Sequence, residues 1–268
     1  MRIFGSIALV LALAGCESVA TTQPGAVGVD RKQTMMVSSQ EVDQAAAGEY
    51  RKVISAAQQK GVLDRNPQHV QRVRTIAQRL IPHTAAFRPD APRWAWETHV
   101  IQENQLNAWA MPGGKMVVYS GLIEKLQLTD DELAAIMGHE IAHSLREHAR
   151  ERVSRQMATG LGVGIAGAVL GLGQVGQDLA GMVAQATFTL PNSRGNEVEA
   201  DRIGVELAAR AGYDPHAAVR LWQKMGQASG GGGGGPEFLS THPSPANRLA
   251  DLRVYADRVM PLYQQARR

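Results

Sequence analysis

Apolar positions recur at helical spacing over most of the chain and at a spacing of two over one short stretch. Val70, Val73, Ile76 and Leu80 lie on one stripe of a helix. Asn66-Pro67 is placed as its N-cap and first residue, and Pro82 as its stop. An earlier helix is predicted from near Ser38, where Glu41 completes a capping box, toward Lys60. From Trp94 the period shortens to two. Trp96, Thr98 and Val100 alternate with Ala95, Glu97 and His99, and residues 107–111 and 115–119 flank Pro112-Gly113-Gly114. This pattern predicts a short antiparallel sheet with a glycine hairpin. Thr129 and Glu132 form a second capping box ahead of Leu133, Ile136 and Met137, opening a helix of about 20 residues. Further helices are predicted to begin near Pro191-Asn192-Ser193 and stop at Gly212, to begin at Asp214-Pro215, and to run from Ser244-Pro245 to the C-terminus. The expected fold class is mainly α with a small antiparallel β-sheet, an α+β arrangement.

Two stretches interrupt the periodicity. Residues 156–177 carry no charge and contain Gly160-xxx-Gly164 and Gly167-xxx-Gly171. Their glycine content lowers helix propensity, which favours a glycine-rich flap or small-residue hairpin over a membrane span. Residues 230–235 are all glycine and predict a loop with no phosphate-cradle pattern around it.

The last helical feature of interest lies behind Thr129: His139-Glu140-Ile141-Ala142-His143. Residues four apart on a helix differ by about 40° and rise about 6 Å, so both imidazoles face one ion. Glu140 can then reach a water on that ion and act as general base, the chemistry of peptide hydrolysis. Composition alone gives about 0.01 occurrences of such a motif by chance, so a solvated helix face is a poor account of it. A catalytic zinc commonly takes three protein ligands. Glu197 and Asp201 share a helix face, whereas Glu199 sits about 200° round. Glu197 is the expected third ligand, and Asp201 the carboxylate that accepts the free ring N–H of a zinc histidine. His148 falls about 180° from His139 if the helix continues, and is excluded on that ground. His99 reads as structural.

HExxH, then Glu197-Val198-Glu199-Ala200-Asp201, then Ser240-Thr241-His242-Pro243 resembles the gluzincin metallopeptidases. These include the HtpX heat-shock protease, the CAAX prenyl endoprotease and periplasmic lipoprotein proteases of outer-membrane quality control. The resemblance runs from about Trp94 to Leu252. It implies one Zn2+ per chain bound by His139, His143 and Glu197, with Glu140 as catalytic base. It also implies that His242 approaches the zinc, either donating to the oxyanion or occupying the open site at rest. Arg248, six residues on, reads equally as binding a nearby carboxylate or substrate and as forming a surface salt bridge. The segment beginning at Asn107 resembles the family's strand before the zinc helix, so an edge strand there could pair with extended substrate.

Cysteine usage and charge complete the picture. Arg2, the apolar run after it and Leu13-Ala14-Gly15-Cys16 look like a bacterial lipoprotein signal ending in the only cysteine. The expected organisation is a signal peptide over 1–15, a lipidated flexible tether over 16–37 with lipid on Cys16, and a metalloprotease domain over 38–268. Glu17 after the cysteine, by resemblance to sorting signals, favours the periplasmic face of the outer membrane. Lys and Arg outnumber Asp and Glu by 28 to 25 but are scattered, so no nucleic-acid footprint is present. The expected function is a lipid-anchored periplasmic zinc endopeptidase acting on unfolded or misfolded envelope proteins. The alternative is a chaperone-like envelope assembly factor with latent proteolysis.

Overall fold

The computed structural model describes residues 17–164, 175–229 and 236–268. In chain order the strands are β1 (Glu17–Val19), β2 (Gln33–Met35), β3 (Glu97–Ile101), β4 (Ala108–Met111) and β5 (Lys115–Tyr119). The helices are α1 (Ser39–Gln59), α2 (Pro67–Leu80), α3 (Ser120–Lys125), α4 (Asp130–Leu145), α5 (His148–Gly164), α6 (Val175–Phe188), α7 (Arg194–Arg210), α8 (Ala217–Ser229), α9 (Phe238–Thr241) and α10 (Arg248–Ala266). The architecture is mostly helical with small sheets, as the periodicity implies.

The caps fall where the sequence places them. Ser38 and Glu41 close a capping box on α1, Asn66 caps α2, and Thr129 and Glu132 close the box on α4. Ser193 caps α7, and Gly212 ends it at φ +75°, a conformation glycine adopts without a Cβ clash. The last helix starts at Arg248, three residues beyond Pro245.

Helix α4 is the core of the molecule. Every residue from Glu132 to Leu145 on it is buried, so it has no solvated face at all. It packs most extensively against α7, with α8 and α2 on its other sides. The approach of α4 and α7 is set by two glycines. A Cβ on Gly204 would stand 2.7 Å from the backbone nitrogen of His139, and one on Gly138 2.9 Å from the carbonyl oxygen of Gly204.

Three expectations need correction. The main sheet has the order β3-β5-β4: β4 and β5 form the antiparallel hairpin, but β3 lies parallel to β5. A period of two marks strands and says nothing of direction, and residues 102–107 carry the chain across to the far edge before the hairpin returns β5 to the middle. The motif helix is also shorter than expected. It stops at Leu145, Glu147 takes φ +50°, and its N–H turns back to the Ser144 carbonyl at 3.1 Å before α5 begins. Finally, residues 17–37 are not a loose tether. β1 and β2 pair with each other, Val27, Val29 and Met35 are buried, and the Val27 N–H donates to Glu206 Oε2 at 3.0 Å. Apolar residues spaced around Pro24, Gly25 and Gly28 help to anchor the segment against the domain.

The signal peptide, Cys16 and the 230–235 loop lie outside the described residues, as do residues 165–174 of the 156–177 flap, whose ends belong to α5 and α6. No described helix is long and apolar enough to cross a membrane.

Candidate active site

Four buried side chains from three elements converge: His139 and His143 on α4, Glu197 on α7 and His242 just after α9. Their donor atoms all lie within 4.8 Å of one another. The two Nε2 atoms of His139 and His143 approach to 3.0 Å. Glu197 places Oε2 3.5 Å from the first and Oε1 3.4 Å from the second. Glu197 Oε1 has no hydrogen-bond partner among the described residues, and neither does Glu140 Oε1. Buried acceptors and ring nitrogens are not gathered in this way without something to bind. Two neutral imidazoles and one carboxylate suit zinc, so the residues present fit the ion expected from the sequence.

Burial sets the electrostatics. It pushes the carboxyl of Glu140 up to about 8, against a smaller opposing effect from the Ala110 N–H, and raises Glu197 well above the ordinary carboxylate range. Burial likewise lowers His139, His143 and His242, so all three rings are neutral and able to offer lone pairs. Asp201 goes the other way: burial would raise it, but Arg248 and His139 outweigh that and lower it.

A buried layer holds these groups. Asp201 Oδ1 lies 3.0 Å from His139 Nδ1, as the spacing from Glu197 led one to expect. Arg248 is 2% exposed and reaches Asp201 at 2.7 Å and Glu197 at 3.2 Å. Its guanidinium lies 3.2 Å over the Trp222 ring. Arg248 therefore binds carboxylates inside the fold and does not face substrate. His242 is stacked on Phe238, with ring centroids 4.0 Å apart, and its Nδ1 lies 3.1 Å from the Phe238 carbonyl oxygen.

Two histidines set aside in the sequence behave differently. His99 pairs with Asp64 at 2.8 Å on β3, a structural contact. His148, excluded on the premise of one continuous helix, is brought in by the break at Glu147: its Nδ1 sits 2.8 Å from His143 Nδ1. Its Nε2 lies 3.2 Å from Glu199 Oε2, which also accepts from Arg146 at 2.9 Å. Burial pushes His148 down to about 4, with Glu199 opposing. Arg31, from the segment before β2, binds both Glu199 and Glu151. No local signal in the sequence pointed to His148, Glu199, Arg146 or Arg31 as a group.

On the open side, β4 is the edge strand of its sheet among the described residues. The Tyr119 N–H bonds the Asn107 carbonyl, so in this register Ala108 and Ala110 turn their backbone groups away from β5. The outward N–H of Ala110 donates to Glu140 Oε2 at 3.0 Å. A cavity of about 460 Å³ runs beside this edge, lined by Asn107, Trp109, Tyr119, Phe188 and Glu237 among others. Asn107 thus lines this cavity just before β4.

Comparison with known proteins agrees with this geometry. The profile of peptidase family M48 matches residues 67–256. The chain is 40% identical over 160 residues to the mitochondrial metalloendopeptidase OMA1 of Schizosaccharomyces pombe, covering 60% of this chain and 46% of that protein. It is 32% identical over 203 residues to the beta-barrel assembly-enhancing protease of Yersinia pestis, covering 73% and 40% respectively. The protein of that name in Escherichia coli is 32% identical over 211 residues, covering 75% and 42%. The chain spans less than half the length of each of these relatives.

Proposed function

The chain belongs to peptidase family M48, and from that premise we propose that it is a zinc metalloendopeptidase anchored by lipid at the periplasmic face of the outer membrane, where it cleaves misfolded or membrane-associated envelope proteins. The observation that carries the reading is the convergence of His139 Nε2, His143 Nε2 and the Glu197 carboxylate beside a buried Glu140.

His139, His143 and Glu197 would hold the zinc. Bound there, it lowers the pKa of a water and polarises a peptide carbonyl. Glu140 is the general base: a dication held at the site would favour its ionised form against the effect of burial, its Oε2 is fixed by the Ala110 N–H, and Oε1 is left to take a proton from water and return it to the leaving amine. Asp201 accepts the Nδ1–H of His139 and so fixes that ring, and Arg248 keeps Asp201 ionised. The outward backbone groups of Ala108 and the Ala110 carbonyl offer pairing to an extended substrate, with Asn107 at the mouth of the cleft. Pairing through backbone selects unfolded segments over any one side chain, which supports quality control as the role. The envelope location is supported by the lipoprotein-like signal ending at Cys16 and by likeness to the two bacterial relatives, whose shared name refers to β-barrel assembly; the fungal relative is mitochondrial.

His242 favours a second reading of the resting state. Its Nδ1 donates to the Phe238 carbonyl, so the neutral ring turns an Nε2 lone pair toward the site, 3.3 Å from Glu140 Oε1. A lone pair there suits a fourth ligand better than an oxyanion donor. The protein would then be latent until substrate displaces His242, and could bind clients in that state as an assembly factor.

The test is degradation of casein by the detergent-purified protein, with Glu140→Gln and a chelator as controls. Cleavage lost in both establishes the peptidase. A zinc-loaded protein that binds casein without cutting it shifts the weight to the latent form, and no zinc bound at all overturns the reading. For the anchor, labelled palmitate should enter the protein expressed in a diderm bacterium and fail to enter Cys16→Ala.

A further inference from the structure

The histidine that begins α5 takes no part in the chemistry above, yet it is fully buried against a metal ligand. We propose that His148 is a positioning residue for the zinc: it accepts the Nδ1–H of His143 and passes its own Nε2–H to Glu199, locking His143 with its Nε2 lone pair toward the ion. This rests on the zinc reading of the site.

The argument is one of proton counting. A neutral imidazole has one N–H and one lone pair. His143 Nε2 faces His139 Nε2 at 3.0 Å and Glu197 Oε1 at 3.4 Å, so its lone pair must be there for the ion and its proton on Nδ1. That proton meets His148 Nδ1 at 2.8 Å, and only a lone pair on His148 Nδ1 can receive it. The proton of His148 is then on Nε2, 3.2 Å from Glu199 Oε2, where an ionised carboxylate can only accept. Glu199 in turn is clamped by Arg146 and by Arg31. One carboxylate therefore dictates both tautomers.

The two metal histidines are thus supported unequally. His139 donates directly to Asp201, whereas His143 reaches its carboxylate through a second ring. The relay also ties the metal to the N-terminal segment, since Arg31 comes from the stretch between β1 and β2. A mobile N-terminal tether could not have done this.

The experiment compares His148→Phe and His148→Gln in the detergent-purified protein, reading zinc affinity by chelator competition and thermal unfolding of the metal-free form. Glutamine can accept at one end and donate at the other; phenylalanine fills space only. We expect His148→Phe to weaken zinc by about 10–100-fold, with His148→Gln close to the parent and the metal-free forms melting together. Equal zinc affinity in the parent and His148→Phe overturns the proposal, as does a loss in His148→Gln matching that in His148→Phe. Should His148→Phe fail to fold, 15N NMR of histidine-labelled zinc-loaded parent decides: His148 protonated at Nε2 supports the relay, and protonation at Nδ1 overturns it. A parent that binds no zinc would instead overturn the zinc reading on which the relay stands.

Discussion

Gly138 and Gly204 face each other where α4 crosses α7, so close that a Cβ on either would meet the other helix's backbone below 3.0 Å. The contact lies one residue before His139 and three after Asp201. The two helices that carry the converging His139, His143 and Glu197 are therefore registered at a point where neither can move away or slide.

Gly204→Ala should separate the helices rather than find room, because the obstacle is backbone and not the tip of a side chain. Overpacking of this kind costs about 1–3 kcal/mol. We expect a lower midpoint in thermal unfolding together with reduced zinc content. A variant as stable and as zinc-rich as the parent would show that the crossing does not set the site.

Glu140→Gln should retain zinc, since Glu140 is not among the four converging donors, and should lose cleavage by about 10²-fold or more. Zinc content and casein hydrolysis measured on the same preparation separate the two effects. Removing the zinc with a chelator should abolish cleavage in the parent and lower its melting temperature, because a ligand that binds only the folded state stabilises it.

Arg248→Met would leave Asp201 buried without its arginine and would take the same partner from Glu197 in the zinc-free protein. Breaking a buried pair in this way costs about 3–5 kcal/mol, and Arg248→Lys should rescue little, because an ammonium cannot reproduce the fork between two carboxylates or the stack on Trp222. Urea unfolding of the three proteins checks both statements.

Glu151 gives the stability its pH dependence at the acid end. Burial would raise its pKa, but hydrogen bonds from Arg31 and Gln33 and the charges of Arg31 and Arg155 outweigh it and hold the group at about 2, below the ordinary 4.5. The folded state thus favours the ion. Its contribution, of order 1–2 kcal/mol after allowing for the partly exposed Arg31, is complete above pH about 4.5 and falls away as pH drops toward 2. Glu151→Gln should flatten that part of a stability profile measured by urea unfolding.

What could be seen in the sequence was what is local. Thr129 with Glu132, Ser38 with Glu41 and Gly212 act within a few residues of themselves, and the two motif histidines and Glu197 with Asp201 follow from helical spacing. His148 was invisible because its position depends on a break at Glu147 that neither glycine nor proline marks, and a helical wheel drawn through it points the ring the wrong way. Arg31 and Gln33 read as tether because their partners, Glu199, Glu151 and the Arg146 carbonyl, lie more than a hundred residues on. The direction of β3 was equally out of reach, since a register of alternating residues is the same for parallel and antiparallel neighbours.

One contact has an unusual standing with respect to mutation. Glu140 is steadied by the main chain of Ala110 and by no side chain at that position. Random substitution can therefore replace the alanine many times over without touching the bond, and a saturation library would score position 110 as tolerant of small residues. Proline alone deletes the N–H. The orientation of the Glu140 carboxylate is in this sense written into the backbone, and is sheltered from most of the genetic drift that wears away interactions between side chains.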